Sequence, residues 1–447
     1  MSMLNGFSPA DAERLSQQER ALIERRERLL GPAYRLFYER PLHTVRGEGV
    51  WLYDEQGRRY LDAYNNVASV GHCHPRVVEA ICTQAAQLNT HTRYLQQGIL
   101  DYAEQLLATF PAGLERVMFT CTGSEANDLA LRIARHFTGG EGVIITQFAY
   151  HGVTGDISAL SPSLGAGVRL PAHARCVRAP DAYRLGTQNV AAAFAADVRA
   201  AIDDLRARGI KPAALLLDGI FASDGVFAEP CGFLAEGVAL ARAEGLLYIA
   251  DEVQSGFART GENMWGFQRH TVQPDIVTLG KPMGNGQPIA GVVARADLIE
   301  SFGRSVRYFN TFGGNPVSCA AAKAVLEVIQ EEGLQQRSAQ IGDYLLQGFR
   351  RLAEHHELIG DVRGAGMFFG IELVSNRETK APAAQATRRI VNDLREHGVL
   401  ISAAGPLENI LKIRPLLAFE KEHADLMLDA LNQVLNANKP SHTTPVL

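Results

Sequence analysis

The fold is decided by two short stretches, Leu246-Leu247-Tyr248-Ile249-Ala250-Asp251 and Asp275-Ile276-Val277-Thr278-Leu279-Gly280-Lys281. Each is a mainly apolar run that ends at, or just before, a charged side chain. Such runs are typical of buried strands in a mostly parallel sheet. Ligands of open α/β sheets bind beyond the carboxyl ends of the strands. The pattern therefore predicts that Asp251 and Lys281 face one site.

The same alternation of strands and helices extends from about residue 75 to residue 325. It predicts an α/β domain with helices on both faces of its sheet. Beyond residue 325, longer helices and a few strands predict a smaller α+β domain. The other predicted strands are 116–120, 142–146, 213–218, 290–294, 366–373 and 411–413, and the predicted helices include 124–137 and 195–207.

The domain boundaries predicted from this pattern are an N-terminal segment 1–60 that joins the small domain, a large domain 61–325 and a small domain 326–447. In the N-terminal segment, Ser8-Pro9 predicts the start of a charged helix that runs to about residue 30. Residues 48–62 alternate like a hairpin with its turn at 54–57. The tail, residues 439–447, is predicted to be loose.

Composition excludes several classes of function. The chain has 447 residues, 46% of them apolar, and a formal net charge of −5, which disfavours a nucleic-acid partner. No run approaches the roughly 18 apolar residues of a membrane span. The first residues lack the features of a signal peptide, so we expect a cytoplasmic protein. The six cysteines form no CxxC pair, and we expect no metal site.

Lysine is rare in this chain, which shortens the list of candidate nucleophiles. Only seven of the 44 basic residues are lysines, and the first 210 residues contain none. Lys281 follows a predicted strand and precedes the glycine-containing loop 282–286. A buried, partly desolvated lysine has a lowered pKa and becomes nucleophilic toward carbonyl groups. The alternative, a structural lysine, would leave an unexplained charge in the core.

Asp251 ends its strand where a carboxylate is poorly solvated unless a cation meets it. A protonated pyridine nitrogen is such a cation, and a carboxylate beside it keeps the ring an electron sink. The alternative is an acidic residue that caps a loop. The string that follows, residues 252–261, favours the first interpretation.

Three further segments suit a flat, phosphorylated ligand. Gly123 and Ser124 open a helix after the strand 116–120, and free amides at a helix start favour phosphate. Tyr150 follows another strand and could stack on a ring. Thr311 lies in the glycine-rich segment 310–316, which again suits phosphate. Taken singly, each has an ordinary alternative: a serine-capped helix, a core aromatic residue and a turn.

Taken together, these residues resemble the class III aminotransferases, which are pyridoxal 5′-phosphate (PLP) enzymes of fold type I, over about residues 49–431. Within this family, segments 65–75 and 280–286 further resemble the ethanolamine-phosphate phospho-lyases, and segments 308–319 and 359–364 suit both these and the alanine–glyoxylate aminotransferases 2. The resemblance implies a large domain with a mostly parallel seven-stranded sheet, a smaller α+β domain, and a homodimer with shared active sites. It also implies these roles: Lys281 as the Schiff-base lysine, Asp251 at the pyridine nitrogen, Gly123 and Ser124 at the phosphate, Tyr150 on the ring, Gln254 near the 3-hydroxyl, and Thr311 at the phosphate of the partner subunit.

Two departures from the family pattern bear on the reaction. The strand before that of Asp251 ends in Asp218, where many class III transaminases have glutamate. Lys412 stands where they have an arginine that holds a keto-acid carboxylate, and lysine cannot grip a carboxylate bidentately. Arg414, two residues on, would point the same way on a strand.

We therefore favour elimination of phosphate and ammonia from a small phosphorylated amine such as phosphoethanolamine, with Arg93 and Lys412 as candidate cations for the substrate phosphate. Arg93 could equally be a surface helix residue. The alternative reaction is transamination from an amine or amino acid to a keto acid such as pyruvate or glyoxylate. A PLP-binding regulator without activity is a third hypothesis.

Overall fold

The computed structural model describes residues 5–438. Its strands are β1 (Thr44–Glu48), β2 (Trp51–Asp54), β3 (Arg59–Asp62), β4 (Arg116–Thr120), β5 (Gly142–Thr146), β6 (Ala174–Val177), β7 (Pro212–Asp218), β8 (Leu247–Asp251), β9 (Ile276–Leu279), β10 (Ala290–Ala294), β11 (Ile359–Ala365), β12 (Phe368–Asn376), β13 (Ala381–Pro382), β14 (Val399–Leu400), β15 (Ser402–Ala404) and β16 (Ile410–Ile413). Its helices are α1 (Gln17–Leu30), α2 (Pro75–Gln87), α3 (Gln97–Leu107), α4 (Gly123–Thr138), α5 (Gly155–Ala159), α6 (Ala182–Leu185), α7 (Val190–Ala207), α8 (Leu234–Ala243), α9 (Ala296–Ser305), α10 (Pro316–Glu331), α11 (Leu334–His355), α12 (Ala384–Glu396) and α13 (Lys421–Ala437).

The largest sheet has seven strands in the order β4-β10-β9-β8-β7-β5-β6. The strands from β6 to β9 are parallel to one another, and β10 runs antiparallel to both of its neighbours. The six strands predicted between residues 116 and 294 all lie in this sheet. The seventh, β6, was not among the predicted strands because Ala174-Arg175-Cys176-Val177 carries no continuous apolar run.

Helices cover both faces of this sheet, as predicted. Alternate residues of β8 point to opposite faces: Ile249 packs in the same apolar cluster as α4 and α9, whereas Tyr248 and Ala250 pack in the cluster that contains α7, α8 and α10. This two-residue period is that of a strand buried on both sides. Asp251 and Lys281 lie at, or just beyond, the carboxyl ends of β8 and β9, where a ligand can reach them.

Two smaller sheets surround this core. One has the order β1-β2-β3-β14, and the other has the order β11-β12-β16-β15. The predicted hairpin is confirmed as β2 and β3, and β3 also pairs in parallel with β14. The N-terminal strands therefore share a sheet with the C-terminal part of the chain. The exact domain boundaries stay a prediction.

The N-terminal helix differs from its prediction. Ser8 does cap a helical segment, but this segment is a 3₁₀ helix, Pro9–Arg14. The α-helix α1 starts after Ser16, whose side chain accepts a hydrogen bond from the Glu19 amide while Glu19 bonds the Ser16 amide in return. This second capping box begins a separate α-helix after the 3₁₀ helix. The predicted loose tail, residues 439–447, lies outside the described residues.

Within residues 5–438, no helix combines the length and the apolar character that crossing a membrane requires.

Candidate active site

The carboxyl ends of the central strands meet at one pocket of about 80 Å³. Asp251 ends β8 beside Asp218, its neighbour in register at the end of β7. Lys281 follows β9 and begins a short 3₁₀ helix. The pocket is lined by Gly123, Ser124, Tyr150, His151, Gly152, Asp218, Asp251, Val253, Gln254 and Lys281. Six predicted site residues thus come together here, although they are widely separated in the sequence.

The carboxylate of Asp251 is buried and held in place by hydrogen bonds. Its Oδ2 accepts from Asn127 Nδ2 at 2.9 Å and lies 2.7 Å from His151 Nδ1, while its Oδ1 accepts from the Val253 amide at 3.1 Å. Asn127 is itself fixed, because its Oδ1 accepts from the Thr278 hydroxyl at 2.7 Å. These contacts orient the carboxylate, and no arginine or lysine lies within ion-pairing distance of it among residues 5–438.

Sequence reasoning did not identify Asn127 and His151 as site residues. The signal for Asn127 is a lone amide on the buried, otherwise apolar face of α4. The signal for His151 is its place next to Tyr150 in the loop after β5. A buried polar group of this kind needs a partner, and here the partner is Asp251.

The amine of partly buried Lys281 lies at the pocket, 5.7 Å from the centroid of the Tyr150 ring. Burial lowers its pKa below the ordinary lysine value, and the positive charge of Arg414 lowers it further. Asp251 and Asp218 act in the opposite direction. A lysine with a lowered pKa presents more of the neutral amine, which is the form that attacks carbonyl groups and accepts protons.

The start of α4 forms a cradle for an anion. Thr122 and Glu125 form a capping box, which engages the amides of Glu125, Cys121 and Thr122. Gly123 and Ser124, the first two residues of the helix, line the pocket. Ser124 Oγ accepts from the Val153 amide at 3.1 Å, so its proton is left for another acceptor. The N-terminus of a sixteen-residue helix attracts negative charge.

Gly152 closes this cradle. Its φ of +139° is rarely adopted by other residues, and a Cβ atom at this position would lie 2.4 Å from Ser124 Oγ. The loop after β5 can therefore approach the start of α4 only if this residue is glycine.

Two more basic side chains, those of Lys412 and Arg414, lie buried beside the pocket. Lys412 Nζ and the guanidinium of Arg414 each lie 5.7 Å from the centroid of the Phe368 ring, so these residues project to the same side of the chain, as expected. Burial and the charge of Arg414 hold the pKa of Lys412 well below the usual lysine range, whereas Asp218 acts to raise it. Burial and the nearby Asp251 raise the pKa of Asp218.

Arg93 and Thr311 do not line this pocket; both are exposed. The guanidinium of Arg93 lies 3.8 Å from the centroid of the Phe309 ring, which also contacts His91. The loops that carry Arg93 and Thr311 thus pack against each other on the surface. The exposed apolar side chains on these two loops are Tyr94, Leu95, Phe309 and Phe312.

The donor set of the pocket fits pyridoxal phosphate. The start of α4 matches the phosphate of this cofactor, and the Tyr150 ring matches its flat aromatic ring. The partly buried amine of Lys281 matches its aldehyde. Asp251 has a carboxylate whose remaining lone pairs can meet a protonated nitrogen.

This fold and this site define an enzyme of the class III aminotransferase family, whose members depend on PLP. The family model for class-III aminotransferases matches residues 37–435, and the chain belongs to this family.

Two curated relatives and one solved structure show which members it is similar to. An alanine–glyoxylate aminotransferase 2-like protein of Drosophila melanogaster is 41% identical over 95% of this chain and 88% of its own length. Ethanolamine-phosphate phospho-lyase homolog 1 of Caenorhabditis elegans is 38% identical over 93% of both chains. The structure of a phospholyase from Arthrobacter in complex with phosphoethanolamine has a TM-score of 0.90 and 45% identity, and covers 93% of this chain and 99% of that chain.

Proposed function

We propose that this enzyme binds PLP through Lys281 and eliminates phosphate and ammonia from a small phosphorylated amine such as phosphoethanolamine. The observation that carries this proposal is the pair of buried basic side chains beside the pocket, Lys412 and Arg414. Neither Lys412 nor Arg414 forms an ion pair within 4.0 Å with a carboxylate of residues 5–438. A strongly anionic ligand would supply the missing negative partner for Arg414 and would favour the protonated form of Lys412, so this pair is suited to such a ligand. The phosphoethanolamine bound in the Arthrobacter phospholyase supports the same substrate class.

The cofactor would be held by six residues. The amides of Gly123 and Ser124 would bind its phosphate, Tyr150 would lie against its ring, and Gln254 would donate to its 3-hydroxyl. Asp251 would meet the pyridine nitrogen, and Lys281 would form the covalent link. When bound, PLP supplies an electron sink for negative charge on the carbon next to the substrate nitrogen.

Lys281 would act as the base once the substrate amine has replaced it on the cofactor. Its lowered pKa favours the neutral amine, which can take the proton from the carbon that bears nitrogen. Lys412 binds the substrate phosphate and stabilises it as it departs from the neighbouring carbon. Water then releases an aldehyde and ammonia, so no keto acid is needed.

Transamination is the second candidate function, and the 41% identity with the alanine–glyoxylate aminotransferase 2-like protein favours it. It requires Lys281 to return the proton to the cofactor and a keto acid to bind afterwards. The guanidinium that could hold a keto-acid carboxylate is that of Arg414, but its Nη1 already donates to Gln254 Oε1 at 2.8 Å and to Asn66 Oδ1 at 3.2 Å. This engagement favours elimination.

The proposal includes a homodimer with shared sites. Arg93 and Thr311 lie together on an exposed, partly apolar surface away from the pocket of their own chain. In a dimer this surface would bring Thr311 to the cofactor phosphate, and Arg93 to the substrate phosphate, of the partner subunit. A cytoplasmic location stays a prediction.

The test is release of phosphate without a keto acid. The PLP form is incubated with phosphoethanolamine alone, and free phosphate is measured over many turnovers. We expect continuing release from the wild type, loss of release in Lys281→Ala, and little change in the matched control Lys323→Ala, which alters a partly exposed lysine on α10. Absence of phosphate, with accumulation of the pyridoxamine form from an amine donor, would overturn the lyase proposal in favour of transamination.

The link to Lys281 has its own readout. Lys281→Ala should lack the absorbance band of the lysine-bound cofactor. Persistence of that band would mean that another lysine carries PLP.

A further inference from the structure

We infer that Arg414 is a positioning residue of the active site, which fixes the Gln254 amide and keeps a permanent positive charge beside Lys281. This inference rests on the proposed binding of PLP by Lys281. It concerns a residue that follows β16 and does not itself line the pocket.

Arg414 is anchored from several sides. Its backbone amide donates to the Ala63 carbonyl at 2.7 Å, and its guanidinium lies 4.2 Å from the centroid of the Tyr64 ring. Nη1 donates to Asn66 Oδ1 and to Gln254 Oε1. Its side chain is almost entirely buried, with 5% of the residue exposed. A guanidinium held in this way has one position and cannot turn toward solvent.

The contact with Gln254 determines which end of that amide reaches the pocket. Because the oxygen accepts from Arg414, the NH₂ group is left as the end that can donate to a ligand. Gln254 lines the pocket next to Asp251. Without Arg414, the oxygen and nitrogen of this amide could exchange places, and the pocket would present an acceptor instead of a donor.

The positive charge of Arg414 lowers the pKa of Lys281, although Arg414 does not line the pocket. Burial is the largest cause of the lowered pKa of Lys281, and the positive charge of Arg414 is the second largest. The same order holds for Lys412. The guanidinium stays protonated at every pH that the enzyme meets, so its effect is constant. The groups around Lys281 that titrate or carry charge are Arg414 and Lys412 from the β16 segment, Asp251 from β8, Asp218 from β7, and Tyr150 and His151 from the loop after β5.

The experiment is a spectrophotometric pH titration of the lysine-bound cofactor, together with measurement of the PLP dissociation constant. In Arg414→Gln, loss of the positive charge should raise the titration midpoint by about one pH unit. Arg414→Lys keeps the charge but not the planar donor geometry. It should therefore keep the wild-type midpoint and weaken PLP binding about fivefold, as expected for one misplaced hydrogen bond.

A further variant guards against failure of Arg414→Gln to fold. Gln254→Glu puts a carboxylate at the atom that Arg414 contacts at 2.8 Å, which offsets the positive charge while Arg414 stays in place. Its midpoint should also rise.

The outcomes separate this inference from the proposed function. If the wild type shows no lysine-bound cofactor, the proposed function fails. If the wild type does show it, but Arg414→Gln and Gln254→Glu titrate at the wild-type midpoint and Arg414→Lys binds PLP with wild-type affinity, the inference about Arg414 is wrong.

Discussion

Several single residues at or beside this pocket keep an acidic or basic group available for a ligand. Asp251 accepts a hydrogen bond from Asn127 and contacts His151, and it forms no ion pair with a lysine or arginine among residues 5–438. Lys412 is buried and Lys281 is partly buried, and the surroundings lower the pKa of both. Buried groups of this kind cost stability, and they cluster where function requires them.

Lys412 provides a pH test of this arrangement. An unfolded lysine has a pKa of about 10.4, and in the folded protein the pKa of Lys412 is much lower. Between the two values the unfolded chain binds a proton that the folded chain does not, so the free energy of unfolding rises with pH. We expect Lys412→Met to flatten this rise between pH 7 and pH 9, as measured by urea unfolding of the holoenzyme.

The control is Lys323→Met, which removes a partly exposed lysine 3.9 Å from Glu327. It should leave the slope of stability against pH as in the wild type. A Lys412→Met variant with the wild-type slope would show that Lys412 is protonated in the folded protein.

Among the elements, the start of α4 and the loop after β5 form one unit. The capping box of α4 and the Ser124–Val153 hydrogen bond set the direction of the free amides. Gly152 lets the two segments approach closely. Their mutual position, rather than either segment alone, makes the anion cradle.

Gly152→Ala should separate these segments. The added Cβ would meet Ser124 Oγ at 2.4 Å, so the loop must move away from the helix. We expect PLP affinity to fall at least about tenfold, which corresponds to about 1.4 kcal/mol, when measured by fluorescence titration of the apoenzyme. The matched control is Gly165→Ala, where φ is +120° but no atom lies within 4 Å of the added Cβ.

Both substitutions introduce backbone strain, of about 1–3 kcal/mol. Gly165→Ala should therefore lower thermal stability without lowering PLP affinity. Equal affinities in the two variants would mean that the contact between Gly152 and Ser124 is irrelevant to the cradle.

The whole molecule brings distant parts of the chain to one pocket through its sheets. Strand β3 pairs with β14, and the strand β16 carries Lys412 to a position beside the pocket. At the same time, the loops around Arg93 and Thr311 leave apolar side chains on the surface: Leu95 is fully exposed and Phe312 is 69% exposed. Contiguous exposed apolar groups of this kind mark an interface.

Leu95→Glu tests this surface as the dimer interface. We expect the wild type to sediment as a dimer, and Leu95→Glu to raise the dimer dissociation constant at least about tenfold, because a buried carboxylate at the interface would be unpaired. Leu426→Glu, at a 48% exposed position of α13, should leave the dimer unchanged. A wild type that sediments as a monomer, or a Leu95→Glu dimer of wild-type affinity, would contradict the assignment.

The sequence by itself determined the central α/β sheet and the chemical identity of its two key residues. Strands β8 and β9 are apolar runs that end beside Asp251 and Lys281, and this pattern is local to the chain, so it can be read without knowledge of packing. The glycine and serine at the start of α4 are equally local. The short mixed strand β6 could not be found in this way, because its pairing with β5 makes it a strand.

Only the tertiary structure decided which groups surround those residues. Asn127 and His151 reach Asp251 from α4 and from the loop after β5, and Arg414 reaches Gln254 from another sheet. Tertiary structure also placed Arg93 outside the pocket of its own chain. The physical reason is that hydrogen bonds and charge interactions between residues far apart in sequence depend on how the sheets and helices pack, whereas the strands and helix starts that carry Asp251, Lys281 and Ser124 depend mainly on neighbouring residues.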